Sequence, residues 1–442
     1  MKTRTLEQRI MKNLINIIGL VLLGFTALAQ VPKPADPQSE PIILMNGIAH
    51  LGNGEVIENS AIAFENGKIT LVADARTIRL DLSKYKVIDV AEQHVYPGMI
   101  LPNTTLGLEE IAAVRATRDH TEVGNITPNV RSLIAYNTDS ELIATLRYNG
   151  ILLAQPTPNG GAIPGTSAIM MLDGWNWEDA AYVEEDGVHI DWPAKNYGAR
   201  WWLGESSGRP NENYGDEVKA IVNFMHDAKA YSKVSVPKVV NLKMEAMKAV
   251  FSGEKKLYLH ADARAEIVES VQMAKDFDLD NIAVVGAEDA FYALDFLKAN
   301  KVSVLLDMVH RRPTREDEDI DLPYRLPGIL HEAGILTGLT YPRLQNSRNL
   351  PFFAGTAAAY GMDKEEALKL VTSNPAKIMG IDDRAGTIEE GKDAHIIVSR
   401  GDLLDMKDSQ LSHAFIMGKQ IILDGKQQLL YERFKEKYSD KE

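Results

Sequence analysis

The sequence predicts a mixed α/β fold, namely a (β/α)8 barrel of the TIM type with a small composite β-sandwich built from the N- and C-terminal segments. In the middle of the chain, short apolar, β-branched runs alternate with segments whose apolar residues recur at helical spacing. This alternation is typical of parallel strands joined by right-handed crossovers. Both ends of the chain show a different sequence pattern, which predicts short strands separated by turns such as "NG" and "ENGK".

The candidate barrel strands are short apolar runs bounded by turn residues. They are residues 150–158, 255–262, 281–287, 301–308 and 334–342, with "TSAIMML" (166–172) and "WWLGES" (201–206) as further candidates. Their total comes close to that of a closed (β/α)8 barrel, which favours a barrel over an open doubly wound sheet. No G-x-G-x-x-G motif follows any of them, so a dinucleotide site has no support.

The N-terminus predicts export. A basic stretch, "MKTRTLEQRIMKN", precedes the apolar run "LINIIGLVLLGFTALA", and a small-x-small cleavage site ends at Ala29. This order is typical of a secretory signal peptide, and the alternative is a membrane anchor. We expect a periplasmic or secreted protein with no membrane span after processing.

Composition narrows the functional class. The 442 residues are 45% hydrophobic and 25% charged, as in soluble globular proteins. A net charge of −14 without a basic stripe argues against nucleic-acid binding. The chain contains no Cys, which excludes disulfides, Cys nucleophiles and thiolate metal sites.

These observations predict a division of the chain into six segments. They are a signal peptide (1–29), a linker (30–41), the first half of the β-sandwich (42–96), the barrel (97–384), the second half of the sandwich (385–430) and a charged tail (431–442).

Three segments carry a family resemblance. They are "IILMNGIAHLGNGEVIENSAIAFENGKIT" (42–70), "YPGMI" (96–100) and "EEALKLVTSNPAKIMGIDDRAGTIEEGKDAHIIVSRGD" (365–402). With them the chain resembles the imidazolonepropionase-like branch of the amidohydrolase superfamily over nearly all of residues 41–430. The resemblance implies the barrel fold, a divalent metal at the C-terminal mouth of the barrel, and hydrolysis of carbon–nitrogen bonds.

Most metal-ligand positions of that family are substituted here. The resemblance implies two His ligands on strand one, one His on strand five, often one on strand six, and an Asp on strand eight. The matching positions hold Asn103, Thr105, His260, Gly286 and Thr340. A catalytic zinc needs about three good protein donors, and these slots supply one. We therefore expect no resident metal; the alternative is one zinc held by a rearranged set of His260, Asp307 and His310.

Polar side chains nevertheless crowd the predicted mouth, because βα loops build the functional face of such a barrel. The residues expected to line a ligand pocket there are Asn103, Thr105, His260, Asp307, His310, Arg311 and Thr340. Arginine forks suit a carboxylate or amide ligand. Two alternatives stay open: ion pairs between these arginines and the acidic run 316–321, and a buried structural role for His260.

The sequence thus predicts an exported, catalytically degenerate protein of the amidohydrolase family. It would bind a small polar molecule or support an active homologous amidohydrolase subunit, and a homo-oligomer is also possible. The first alternative is an active hydrolase of carbon–nitrogen bonds (non-peptide or dipeptide amides) that uses the rearranged metal site. The second alternative is a structural envelope protein.

Overall fold

The computed structural model describes residues 33–199, 203, 208–307, 309–313 and 317–439. The predicted signal peptide and, apart from residue 203, the candidate strand 201–206 lie outside the described residues. Among the helices that are described, none combines the length and the apolar character needed to span a bilayer.

The described strands are short, and most belong to three sheets. In chain order they are β1 Ile42–His50, β2 Val56–Glu65, β3 Lys68–Asp74, β4 Lys86–Asp89, β5 His94–Pro97, β6 Met99–Thr104, β7 Ile151–Pro156, β8 Gly165–Thr166, β9 Ile169–Met171, β10 Ala181–Val183, β11 Gly187–Asp191, β12 Asn196–Tyr197, β13 Arg209–Pro210, β14 Lys256–Ala261, β15 Ile282–Gly286, β16 Ser303–Leu306, β17 Thr337–Leu339, β18 Ile396–Ser399, β19 Leu411–Ile416 and β20 Lys419–Gln420.

The α-helices lie between and after these strands. In chain order they are α1 Ser132–Ala135, α2 Glu141–Arg147, α3 Trp177–Ala180, α4 Tyr214–Ser232, α5 Leu242–Phe251, α6 Arg264–Asp276, α7 Leu294–Ala299, α8 Leu322–Glu332, α9 Leu344–Ser347, α10 Leu350–Ala359, α11 Lys364–Lys369, α12 Ser373–Met379 and α13 Lys426–Ser439. Short 3-10 helices occupy Leu82–Lys84, Arg115–Thr117 and Ala290–Ala293.

Helix starts follow local capping chemistry. The Asp363 carboxylate accepts hydrogen bonds from the first backbone N–H groups of α11, and the Asn241 side chain does the same for α5. Such caps satisfy donors that have no partner inside the helix. The Glu266 carboxylate accepts from the Ala263 backbone N–H at the start of α6, which places this helix directly after β14.

The two ends of the chain share one eight-stranded sheet, whose order is β20-β19-β18-β5-β1-β2-β3 with β4 paired to β1. The joint is antiparallel, and Ile396 of β18 lies opposite Pro97 of β5. The rings of Phe64 and Phe415 meet edge to face in the core beneath this sheet, with 4.9 Å between centroids. The predicted pairing of 42–96 with 385–425 is therefore present, whereas a second layer of a sandwich stays a prediction.

Parallel β/α units form the middle of the chain. β11, β14, β15, β16 and β17 are neighbours in parallel register, with helices in the connections. Side chains alternate across these strands: Tyr258, Val285 and Leu305 pack together on one face, while Leu257 and Val284 join the main core on the other. The mixed α/β class predicted from the sequence is confirmed.

The single closed barrel of eight parallel strands was not found among the described strands. β6 and β7 pair in parallel within a separate four-stranded sheet, and residues 157–186 interrupt the parallel order. In that segment, which includes "TSAIMML", β8 runs antiparallel to β11 and β9 antiparallel to β7. Short antiparallel strands therefore stand between β7 and β11, where the alternating pattern predicts another parallel strand. The segment between α11 and α12 links the two sheets, because the Val371 carbonyl accepts from the Ile100 N–H of β6 and the Leu370 carbonyl accepts from the Leu339 N–H of β17.

Candidate functional site

A cavity of about 260 Å³ lies at the carboxyl ends of the parallel strands. Because parallel strands point their carboxyl ends to one edge, residues distant in sequence meet there. Each strand contributes polar side chains near its end. They are Asn103 and Thr105 from β6 and the residues after it, Asp191 from β11, His260 and Asp262 from β14 and the residues after it, and Asp307 after β16.

Four of the seven residues predicted for the pocket line this cavity, namely Asn103, Thr105, His260 and Asp307. Gly286, at the substituted strand-six position, also lies in the wall. The other three predicted residues, Thr340, His310 and Arg311, are absent from the lining.

Thr340 serves as a structural tie instead of a pocket residue. It is fully buried, and its hydroxyl donates to the carbonyl of Pro102 over 2.5 Å. Pro102 and Asn103 lie where the register of β6 with β7 is shifted, so that local carbonyl needs a partner from outside the ladder. The expectation that Thr340 contacts a ligand is corrected for this reason.

His310 and Arg311 turn away from the cavity. The Nε2 atom of His310 lies 2.6 Å from the Thr356 hydroxyl, and its ring packs edge-on against Phe353. Arg311 donates to Glu318 over 2.6 Å, and both side chains are buried. Arg311 was expected to bind a carboxylate of the ligand, but it pairs with the protein's own Glu318 instead. This agrees with the alternative that the arginines form ion pairs with the acidic run 316–321.

The wall formed by β6 presents two polar groups that the protein leaves open. Asn103 adopts a left-handed φ of 45°, which Asn tolerates better than most residues. Its backbone N–H donates to Gln155 over 2.8 Å. Asn103 and Thr105 are only 8% and 9% exposed, yet no described residue hydrogen-bonds with the Asn103 carboxamide or the Thr105 hydroxyl. Buried polar groups almost always have partners, so both groups are available to a bound molecule.

Two histidines from neighbouring strands meet at the cavity floor. His189 Nδ1 lies 2.8 Å from His260 Nε2, so one ring donates to the other. Asp191 lies opposite His260 in the ladder, and its Oδ1 atom is 3.8 Å from His260 Nδ1. Burial lowers the pKa of both histidines and raises the pKa of Asp191. Both rings are therefore neutral near pH 7, and His260 leaves the Asp191 carboxylate without a cationic partner.

A hydrogen-bonded network supports this floor from below. The His189 ring stacks on Tyr258 with 4.6 Å between centroids, and the Tyr258 hydroxyl donates to Asp186 over 2.9 Å. Asp186 also accepts from Gln155 and Ser167. Because these groups are buried and linked, the network restricts the orientation of the two histidine rings.

Asp262 occupies the space beside the strand-six position. A Cβ atom on Gly286 would lie 2.3 Å from Asp262 Oδ1, and Gly286 has a φ of +96° that side-chain-bearing residues rarely adopt. Asp262 reaches into the solvent of the cavity, yet surrounding protein and the nearby carboxylates of Glu288 and Glu266 raise its pKa to about 6. The strand-six wall thus supplies room for a carboxylate where the family has a His.

Comparison with known proteins agrees with this architecture. An amidohydrolase family model matches residues 353–427. The structure superposes on an amidohydrolase from Thermotoga maritima with a TM-score of 0.76 at 22% identity, covering 86% of this chain and 99% of that one. The chain has the amidohydrolase fold. The resemblance to amidohydrolases seen in the sequence is thereby confirmed for the fold, which is all that identities this low show.

Other structures with this fold are more distant. A prolidase complexed with N-methylphosphonate-L-proline gives a TM-score of 0.52 at 13% identity, covering 86% of this chain and 99% of that one. A molinate hydrolase gives 0.51 at 14% identity, covering 88% and 96%. No curated protein matches the chain by sequence.

The amidohydrolase fold implies a divalent metal, and the residues of this cavity do not fit one. Among the described residues, no three His, Cys, Asp or Glu side chains are grouped so that they could hold a metal ion. One nitrogen of His260 faces His189 and the other faces Asp191. The alternative set of His260, Asp307 and His310 is not brought together, because His310 faces Thr356. A catalytic zinc needs about three convergent donors and an open position.

His189, Asp191 and Asp262 were missed as site residues by sequence reasoning, although a signal was present. "HID" (189–191) and "HAD" (260–262) both place a His and an Asp two residues apart. Residues spaced by two share one face of a strand, so both pairs point toward the same side. The family's ligand pair lies on strand one, whereas this spacing occurs on β11 and at the end of β14.

Proposed function

We propose that this amidohydrolase-fold chain binds a small polar molecule in the cavity at the strand ends and does not carry out the metal-dependent hydrolysis of its fold. The carrying observation is the pair of polar side chains, Asn103 and Thr105, which are more than nine-tenths buried in the wall and lack a partner in the described chain. Polar groups that converge on a concave site fix the orientation of a ligand. The cavity volume of about 260 Å³ suits a molecule smaller than a typical drug.

The donor set supports a binding role over hydrolysis. The histidines and Asp191 interact with one another, so they do not present three free donors to one metal ion. Without a metal, a bound water would keep a high pKa and remain a poor nucleophile. We therefore expect the cavity to recognise a molecule that leaves unchanged.

Metal content tests the absence of hydrolysis. The full-length chain, purified without chelator, should carry well under one equivalent of zinc, manganese or iron. Stoichiometric metal that disappears in His260→Ala, together with an amidase or deaminase activity, would establish the alternative of a working hydrolase.

Ligand binding itself is tested by ligand-observed NMR with a library of small polar fragments. Thr105→Met should fill part of the cavity and abolish the binding of fragments that bind the wild-type chain. The matched control is Val236→Met, because Val236 is 83% exposed and lies outside the cavity lining. Equal fragment binding by Thr105→Met and the wild type would show that the cavity is not the site.

Export is a separate part of the proposal. The basic, apolar and small-x-small segments in residues 1–29 support cleavage after Ala29 and a periplasmic or secreted location. Terminal sequencing of protein from the native cell should find a chain that begins near Gln30. Retention of residues 1–20 in that protein would refute export by cleavage. The exported chain could also act by supporting an active homologous subunit, which copurification from the native cell would detect.

A further inference from the structure

We infer that the ligand of the cavity is a small organic cation whose ammonium or guanidinium group is held by Asp191 and Asp262. This inference rests on the proposed ligand-binding function and assigns the chemical class of the ligand.

The charge of the cavity wall is the first observation. Asp191, Asp262, Glu266 and Asp307 line the cavity, and its described lining contains no Lys or Arg. Two backbone N–H groups, from Lys195 and Ala263, already hydrogen-bond to Glu266. Asp262 accepts a hydrogen bond from the Glu288 backbone, but neither Asp191 nor Asp262 forms an ion pair with a described Lys or Arg. Asp262 is exposed to the cavity and the Asp191 side chain is 37% exposed, so a cation that enters the cavity can reach both carboxylates.

The arginines near the mouth reinforce this conclusion. Arg311, which was expected to face the ligand, is turned toward Glu318 and, over 3.9 Å, toward Glu288. The Arg311 guanidinium is thus paired with other carboxylates, and its lowering effect on the pKa of Asp262 is smaller than the raising effects of burial and of the nearby carboxylates. The positive group must therefore come from the ligand, which reverses the expectation of a ligand carboxylate.

The Asn103 carboxamide is the independent second observation. It is 8% exposed, lines the same cavity, and makes no hydrogen bond with any described residue. An amide oxygen accepts hydrogen bonds as a carboxylate oxygen does, so it can share an N–H donor of the ligand.

An organic cation fits this wall better than a metal ion does. A bound metal needs several donors at about 2.0–2.6 Å from one point, and no described group of three side chains converges in that way. Ammonium and guanidinium groups instead form several separate hydrogen bonds with donor–acceptor distances of about 2.7–2.9 Å. Spaced carboxylates around an open cavity meet that requirement. The pKa of Asp262, raised to about 6 by burial and by Glu288 and Glu266, agrees with a site whose charge awaits compensation.

Calorimetric titration of the full-length chain near neutral pH tests the ligand class. The probes are 1,4-diaminobutane and its neutral isostere 1,4-butanediol, with succinate as the anionic analogue and zinc chloride as the metal. We expect the diamine to bind at least about tenfold more tightly than the diol, since charge-assisted hydrogen bonds are about twice as strong as neutral ones. Succinate should not bind.

Three variants locate the binding. Asp191→Asn and Asp262→Asn should each weaken diamine binding by about tenfold, because each removes one charge-assisted contact. Asp227→Asn is the matched control, since Asp227 is exposed on α4 and does not line the cavity. Circular dichroism establishes that each variant is folded. If both cavity variants fail to fold, the ranking of the four probes on the wild-type chain decides.

Each outcome has one meaning. Binding of succinate or butanediol without the diamine overturns the cationic class and leaves the proposed ligand-binding function intact. Stoichiometric zinc binding that the diamine does not displace also overturns it, in favour of a metal site. If no probe binds, the inference fails, and the fragment experiment with Thr105→Met alone decides the proposed function.

Discussion

His395 is expected to make the protein less stable in mildly acidic solution. Its ring is 4% exposed, packs edge-on against Tyr182, and has no hydrogen-bond partner on either nitrogen among the described residues. The nearby carboxylate of Asp393 already forms ion pairs with Lys68 and Arg384. A proton on His395 would therefore be buried with little compensation.

Burial lowers the pKa of His395 from its ordinary value of 6.5 to about 4, although Asp393 acts in the opposite direction. Between these two values the unfolded chain binds the proton and the folded chain does not, so stability falls as the pH falls. Stability is full above 6.5 and the loss is complete near 4. The whole shift corresponds to about 3 kcal/mol, of which about 2 kcal/mol is lost between about pH 7 and pH 5.

Urea unfolding at those two pH values measures the loss. His395→Leu should show about 2 kcal/mol less destabilisation on acidification than the wild type, because leucine takes up no proton. His226→Leu is the control, since His226 is exposed on α4, and it should keep the wild-type response. Equal acid destabilisation of His395→Leu and wild type would refute the reasoning and show that the ring finds a partner when protonated.

Three further substitutions test the packing around the site. Asp173→Ala should destabilise the fold by about 3–5 kcal/mol in urea unfolding, because it removes the carboxylate that lies 3.0 Å from the buried Arg147 guanidinium. A loss of less than about 1 kcal/mol would contradict this expectation. Gly286→Ala should lower the free energy of unfolding by about 1–3 kcal/mol, because the new Cβ would collide with Asp262 and the backbone has a left-handed φ. The same variant should lose fragment binding in NMR. An unchanged melting temperature would count against the geometry. Thr340→Val should cost about 1 kcal/mol by removing its hydrogen bond to a β6 carbonyl, and wild-type stability would show that the tie is dispensable.

Local patterns were enough to predict the two ends of the fold. Alternating apolar residues and turn dipeptides in 42–96 and 385–425 indicate strands, and a strand with one apolar face must find a partner. The partner came from the family resemblance, and the structure shows β5 hydrogen-bonded to β18. Propensity alone could not have chosen this pairing, because it joins Pro97 to Ile396, far apart in the sequence.

The interruption of the parallel order could not be predicted in the same way. β8, β9 and β10 are two or three residues long, which is too short to show periodicity in a sequence. Their direction depends on long-range partners, namely β7 and β11. "TSAIMML" was therefore recognised as extended, while its antiparallel pairing remained hidden.

How much of the candidate site could be predicted depended on whether the direction of each side chain follows from the sequence. The family resemblance assigned Asn103, Thr105 and His260 to strand ends around one cavity, and all three line it. Loop residues follow no such period. His310 and Arg311 come shortly after β16, and their contacts with Thr356 and Glu318 depend on how residues of that loop and of α10 fold back.

The cavity's chemistry follows from the register between two adjacent strands. Asp191 of β11 lies directly opposite His260 of β14, so the "HID" and "HAD" pairs overlap by one residue pair. This offset brings His189 within 2.8 Å of His260, and burial keeps both rings neutral. The histidines then bond to each other, while Asp191 and Asp262 stay beside the cavity without cations. A two-residue shift that placed His189 opposite Lys256 would separate the rings. In this register the two imidazoles contact each other and the carboxylates line the cavity, which is why we propose a cationic ligand.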